Sequence, residues 1–143
     1  MMFTSNQVLR LAGCTYRQLD YWVRIGAIAP SRDARGSGSS RGFTLRDAAT
    51  VRMCTVLFAL GADQHVVQGA RRDLDRDPVL WDRVVVVTPA GRVWPIIDGT
   101  APEGYLISLP GCEDYVRDQL GVLEAERAGR YQRHAPIGYP PLS

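Results

Sequence analysis

The chain has no lysine; all 17 of its basic side chains are arginine. Genomic base composition is a sufficient cause, but the chemical consequence stands: every cation is a planar guanidinium, the better bidentate partner for phosphate and guanine. Cysteine is scarce and scattered, at Cys14, Cys54 and Cys112. An odd count with no C-x-x-C pair argues against a disulfide framework and for a reducing compartment. Zinc would need about four ligands in short-spaced pairs, and only His65 and His134 are available to join the cysteines. Each cysteine therefore reads as a small buried apolar residue, and no metal or cofactor is expected. Apolar runs long enough to span a bilayer are missing, and no leader pattern opens the chain, so a cytoplasmic protein with no membrane partner is expected. Catalysis also lacks its parts. The serines near position 40 have no histidine beside them, and Asp73, Asp75 and Asp77 alternate with Arg72 and Arg76 like a solvated helix end. No enzyme is expected.

What the chain does have is an uneven charge. Its net charge is +2 over 143 residues. Residues 1–54 hold eight arginines against three acids, and residues 55–143 hold nine against twelve. A positive half followed by a negative half suits a phosphate-facing N-terminal part and a C-terminal part with another task.

Periodicity makes the first half specific. Thr4-x-x-Gln7, Thr15-x-x-Gln18 and Thr44-x-x-Asp47 are three capping boxes. They predict helices ending near Gly13, Gly26 and Gly61, and a fourth follows Asp63 and stops at Asp77-Pro78. In the second helix Leu19, Trp22 and Val23 share one face, while Arg17, Asp20, Tyr21 and Arg24 gather on the other. Two short helices about a Gly-containing turn form a helix-turn-helix, whose second helix enters a DNA groove. The third helix, about 45–60, is apolar nearly all round and reads as a central strut. The intervening SRDARGSGSSRGFT carries Arg32, Arg35 and Arg41 around glycines, and reads as a β-hairpin wing. It lacks phosphate-loop spacing.

These residues carry a resemblance. Gly13-Cys14-Thr15-Tyr16-Arg17-Gln18-Leu19-Asp20-Tyr21-Trp22, then Ile25-Gly26 and Pro30, resembles the recognition helix of MerR-family winged-helix transcription regulators. The likeness continues through 35–43, Leu45-Arg46-Asp47-Ala48 and Ala59-Leu60-Gly61-Ala62-Asp63, over roughly 3–74. It implies a sequence-specific regulator of double-stranded DNA, acting as a homodimer on a two-fold site and bending an over-long promoter spacer, with RNA polymerase or an effector as further partners. It implies a DNA-contacting arginine at Arg17 and a phosphate-binding tyrosine at Tyr21. Asp20 departs from the basic residue many relatives carry; it is expected to pair with Arg17 or Arg24, or to accept from cytosine N4. Metal-responsive relatives place cysteines beyond the fourth helix, a pattern Cys112 alone does not reproduce. The candidate DNA contacts are Thr15, Tyr16, Arg17, Asp20, Tyr21 and Arg24 on the helix, with Arg32, Arg35, Ser39, Ser40 and Arg41 on the wing.

Typical relatives dimerise through one long helix after the fourth. Here Pro78 and a strand-like run stand in its place. RVVVVT, Pro-Ala-Gly and RVWPII predict a β-hairpin with 84–87 buried and Pro95 on an edge strand. YLISL (105–109) adds a third strand, and about 113–127 a helix with Val116, Leu120 and Leu123 on one face. The fold class is α+β: a winged helix-turn-helix of four helices over 1–76, then a hairpin-plus-helix region over 77–143 for dimerisation or effector contact, with a Pro-rich tail at 134–143. Two other readings stay open. One is a phage-type excisionase or architectural DNA-bending factor. The other is a sensor module in which Trp81, Trp94, Tyr105 and Tyr115 line a pocket.

Overall fold

Three reciprocal caps start three of the helices. In the computed structural model, which describes residues 1–32 and 41–129, Thr4 and Gln7 open α1 (Ser5–Ala12), Thr15 and Gln18 open α2 (Tyr16–Arg24), and Thr44 and Asp47 open α3 (Leu45–Ala59). Each threonine oxygen accepts the N–H three residues on, and the longer side chain accepts the threonine's own N–H, at 2.8–3.2 Å. Two orphan donors per helix are thereby satisfied. Asp63 caps α4 (Gln64–Arg76) by accepting from the Val66 N–H. Between α1 and α2 the chain turns at Gly13, whose φ of 74° is left-handed.

Pro78 cannot continue α4, and a 3₁₀ turn (Pro78–Asp82) leads into a three-stranded antiparallel sheet. Its strands are β1 (Val84–Val87), β2 (Val93–Pro95) and β3 (Tyr105–Ser108), in the order β2-β1-β3. Pro95 lies on an edge strand, as its missing donor requires. The last helix, α5 (Leu109–Arg127), starts four residues before the expected position. Ser108 caps it through the Gly111 N–H, and Pro110 fits the first turn, where no N–H is needed.

α3 is the strut. Val51, Met53, Cys54 and Leu57 are fully buried, with α1, α4 and α5 packed around them. One apolar cluster runs from Phe3 through Trp22, Phe43 and Trp81 to Val85, Val87, Ile107 and Val116. Val84 departs from the expected burial of 84–87 and is exposed. Alternation along a strand turns its side chain away from the face that Val85 and Val87 press into the core. The same alternation corrects the pocket reading. Trp94 pairs with Val86 and Tyr105 with Val87, so the two aromatics stand on opposite faces of the sheet, while Trp81 is core.

The hairpin docks on α4 backbone to backbone. Gly69 lies so close to the Gly91 carbonyl that a Cβ at 69 would overlap it. Beside them Asp73 is buried rather than solvated, correcting the sequence expectation. Its carboxylate accepts from the Val93 N–H and Arg92 Nε, both at 2.9 Å, and from Arg76 Nη2 at 2.7 Å. Burial pushes this carboxyl's pKa up, but the three donors outweigh it and hold the pKa below its usual value.

Candidate nucleic-acid interface

α2 is anchored on one side and open on the other. Leu19 is fully buried, and Trp22 stacks on Phe58 of α3 with ring centroids 5.2 Å apart and planes 10° from parallel. That fixes Trp22 as core. The C-terminal end of α2 is gripped by α4: Gln68 Nε2 donates to the Ile25 carbonyl at 2.6 Å, and Arg71 Nε to the Gly26 carbonyl at 3.0 Å. Donors aimed at the last carbonyls, one of them cationic, complement the helix dipole. The helix is therefore held at two levels along its inner face.

The outer face carries Tyr16, Arg17, Tyr21 and Arg24, all exposed. Arg17 makes no hydrogen bond or ion pair with any described residue, so its guanidinium fork is open. Tyr21 donates its hydroxyl to Gln64 Oε1 at 3.2 Å, tying the outer face to the start of α4. Thr15 is exposed, and its hydroxyl oxygen is engaged as the cap of α2.

Asp20 does not take Arg17. It pairs instead with Arg24 at 3.3 Å and with Arg41 at 2.9 Å. Arg24 lies one turn further along, at the i+4 distance a carboxylate reaches readily. The second partner comes from outside the helix, and sequence spacing gave no sign of it.

Arg41 sits at the base of the Gly/Ser segment. Arg32 and Gly42 exchange backbone hydrogen bonds at 3.0 and 2.8 Å, and Phe3 and Phe43 do the same at 2.7 and 2.9 Å. An isolated antiparallel bridge thus joins the segment leaving α2 to the segment entering α3, and a second ties that segment to the N-terminus. Asp47 secures this junction, accepting from the Ser31 hydroxyl at 2.6 Å and the Ser31 N–H at 3.1 Å, besides its own cap. Arg32 is exposed. Arg35, Ser39 and Ser40 lie outside the described residues.

Not every arginine of the positive half faces outward. Arg10 pairs with Glu126 at 2.6 Å and Arg46 with Glu113 at 3.1 Å, both on α5. Arg52 donates to the Ala12 carbonyl at 3.2 Å and lies over the Tyr115 ring at 3.6 Å. These three hold α5 against α1 and α3, so part of the charge asymmetry is structural.

The cysteines stay thiols. Burial pushes Cys14 and Cys112 up to about 11, and raises Cys54 further. Among the described residues, no three His, Cys, Asp or Glu side chains are grouped to hold a metal ion, and no helix is long and apolar enough to cross a membrane.

Comparison with known proteins meets this geometry. Residues 3–69 match the family described as MerR HTH family regulatory protein. Uncharacterized HTH-type transcriptional regulators from Mycobacterium bovis and from two strains of Mycobacterium tuberculosis are each 40% identical over 69 residues. The match covers 48% of this chain and 31% of each relative, so the shared part is one segment of longer regulators.

Proposed function

We propose, from the premise that residues 3–69 are a segment of the MerR HTH regulatory family, that this chain is a sequence-specific regulator binding double-stranded DNA. The observation that carries the reading is the pairing of an anchored inner face with an open outer one on α2. Leu19 and Trp22 fix the helix, while Arg17, Tyr21 and Arg24 are exposed on its outer side, Tyr21 held by Gln64 and Arg24 by Asp20. In the proposed docking α2 enters the major groove, with Tyr16 and Arg17 in its first turn nearest the bases. A bidentate Arg17 on guanine O6 and N7 discriminates by about 1–3 kcal/mol. Tyr21 and Arg24 lie towards the backbone. Thr15, Arg32, Arg35, Ser39, Ser40 and Arg41 supply phosphate contacts, which set register and salt dependence rather than sequence.

DNA contact is assigned to residues 1–76 and partner contact to 77–143, with a homodimer on a two-fold site and action at the nucleoid. The reading assigns no catalysis. Selection of bound fragments from a random duplex pool tests it directly. A recovered consensus, bound far more tightly than random duplex at equal salt, is expected. Equal binding to all duplexes would leave an architectural role in its place.

A further inference from the structure

The end of α2 is closed from two sources. Its own backbone supplies the first. Gly26, left-handed at φ 77°, donates to the Val23 carbonyl at 3.1 Å, and the Ala27 N–H reaches the Trp22 carbonyl at 2.9 Å. The Ile25 and Gly26 carbonyls lie beyond that closure, and α4 takes both. Gln68 Nε2 donates to the first and Arg71 Nε to the second, while Asp75 holds the other end of the Arg71 fork at 2.6 Å. Gln64, one turn earlier on α4, accepts from the Tyr21 hydroxyl. Residues 64, 68, 71 and 75 fall at helical spacing along one stripe, so a single ledge of α4 follows α2 from Tyr21 to Gly26. The ledge is itself braced. On the opposite side of α4, Gly69 abuts the Gly91 carbonyl and Asp73 accepts the Val93 N–H.

We propose that Gln68 and Arg71 are positioning residues for base readout: they set the tilt of α2, and so decide whether Arg17 meets its base, without touching DNA themselves. The inference rests on the DNA-contact reading above. Burial of Leu19 and Trp22 fixes how deep α2 lies, but apolar contact is largely non-directional and leaves the tilt soft. Hydrogen bonds to carbonyls are directional and weaken steeply below an angle of about 120°. Those from Gln68 and Arg71 act at one end of the helix, and Arg17 sits near the other, eight residues before Ile25. At about 1.5 Å per residue the arm is about 12 Å long, so a tilt of about 5° carries Arg17 through roughly 1 Å. A bidentate contact with guanine does not survive that shift, because both of its bonds must stay near about 2.9 Å. Phosphate contacts do survive it, since Coulomb attraction falls off slowly and the duplex presents charge along its whole length. The ledge therefore governs sequence selectivity rather than general affinity for duplex. Arg71 is no phosphate ligand in its own right: its side chain is 22% exposed and is shared between Gly26 and Asp75.

Gln68→Met keeps length and charge while removing the donor. Anisotropy titrations of the full chain, on the site selected by the parent and on random duplex, read its effect. Gln68→Met is expected to weaken binding to the selected site about tenfold, the scale on which one bidentate base contact discriminates. Affinity for random duplex and its salt slope stay at the parental values. Arg71→Met is expected to lose selectivity in the same way, and Arg71→Lys, which keeps a cationic donor for the Gly26 carbonyl, to restore it. Because the ledge acts through Arg17, Gln68→Met is expected to have no further effect once Arg17 is alanine. Should Gln68→Met fail to fold, the two Arg71 variants carry the comparison. Parental selectivity in the Met variants, an equal loss in Arg71→Lys, or a loss that simply adds to that of Arg17→Ala would overturn the positioning role and leave the DNA reading standing. A parent that selects no consensus would instead bring down the DNA reading, and this inference with it.

Discussion

Asp20 on α2 and Arg41 at the entry to α3 lie 2.9 Å apart, and the same carboxylate holds Arg24 at 3.3 Å. One acid therefore joins the proposed recognition helix to the base of the proposed wing. It restrains two cations that would otherwise swing freely toward phosphate. Partly exposed pairs of this kind add less than about 1 kcal/mol to stability, so the role of Asp20 lies in positioning. Asp20→Ala is expected to leave the melting temperature nearly unchanged. It tightens binding to random duplex, steepens the salt dependence and lowers the ratio of specific to non-specific affinity. Anisotropy titrations at several salt concentrations read all three, and an unchanged ratio would remove Asp20 from the positioning role.

Arg17 and Arg41 are expected to fail differently. Arg17→Ala should cost about 1–3 kcal/mol on the selected site and relax preference at one base pair. Arg41→Ala should weaken every duplex alike and reduce the salt slope by about 1. Site selection repeated with each variant checks this. Variants that bind like the parent would contradict the docking.

Gly69 is expected to tolerate no side chain. A methyl group there meets the Gly91 carbonyl, so Gly69→Ala must push the hairpin off α4, at a cost of about 1–3 kcal/mol by overpacking. Chemical denaturation measures the loss. If it matched the small gain typical of glycine replacement in a helix, the close approach would be wrong.

Asp73 makes stability depend on pH. Its folded-state value lies below the unfolded value of about 3.9. Its contribution is therefore complete above about pH 5 and lost as pH falls through the folded value. Asp73→Asn should destabilise by about 1–3 kcal/mol at pH 7, since donors from Arg76, Arg92 and Val93 lose a charged acceptor. The gap between parent and variant should narrow toward pH 3 in paired melting curves. A constant gap would show that the charge on Asp73 contributes nothing.

The thiols are expected to resist modification. With Cys14 and Cys112 near 11 and Cys54 higher still, little thiolate exists at neutral pH. Iodoacetamide should label the native chain slowly and all three cysteines once it is denatured. Half-buried Cys14 should be the first to react. Rapid labelling of Cys112 at pH 7 would revive a redox role.

Local order was legible because it is written in neighbours. Capping boxes at Thr4, Thr15 and Thr44 need only residues three apart. Leu19 and Trp22 declare their face by helical spacing, and Pro95 declares an edge by the donor it lacks. Asp73 was misread because its alternation with arginines looks solvated, while its real partners, Arg92 and Val93, arrive from a hairpin about twenty residues on. The early start of α5 escaped notice because Ser108 also closes a strand, and a cap there competes with strand propensity.

Sequence by itself settled where the first four helices begin, which side of α2 is apolar, and that strands follow Pro78, since these depend on period and backbone chemistry a few residues long. Tertiary structure alone decided that Asp20 reaches Arg41, that three N-terminal arginines serve α5, and that Gln68 and Arg71 donate to the end of α2. Those outcomes turn on distances between segments far apart in the chain, which only packing around α3 fixes.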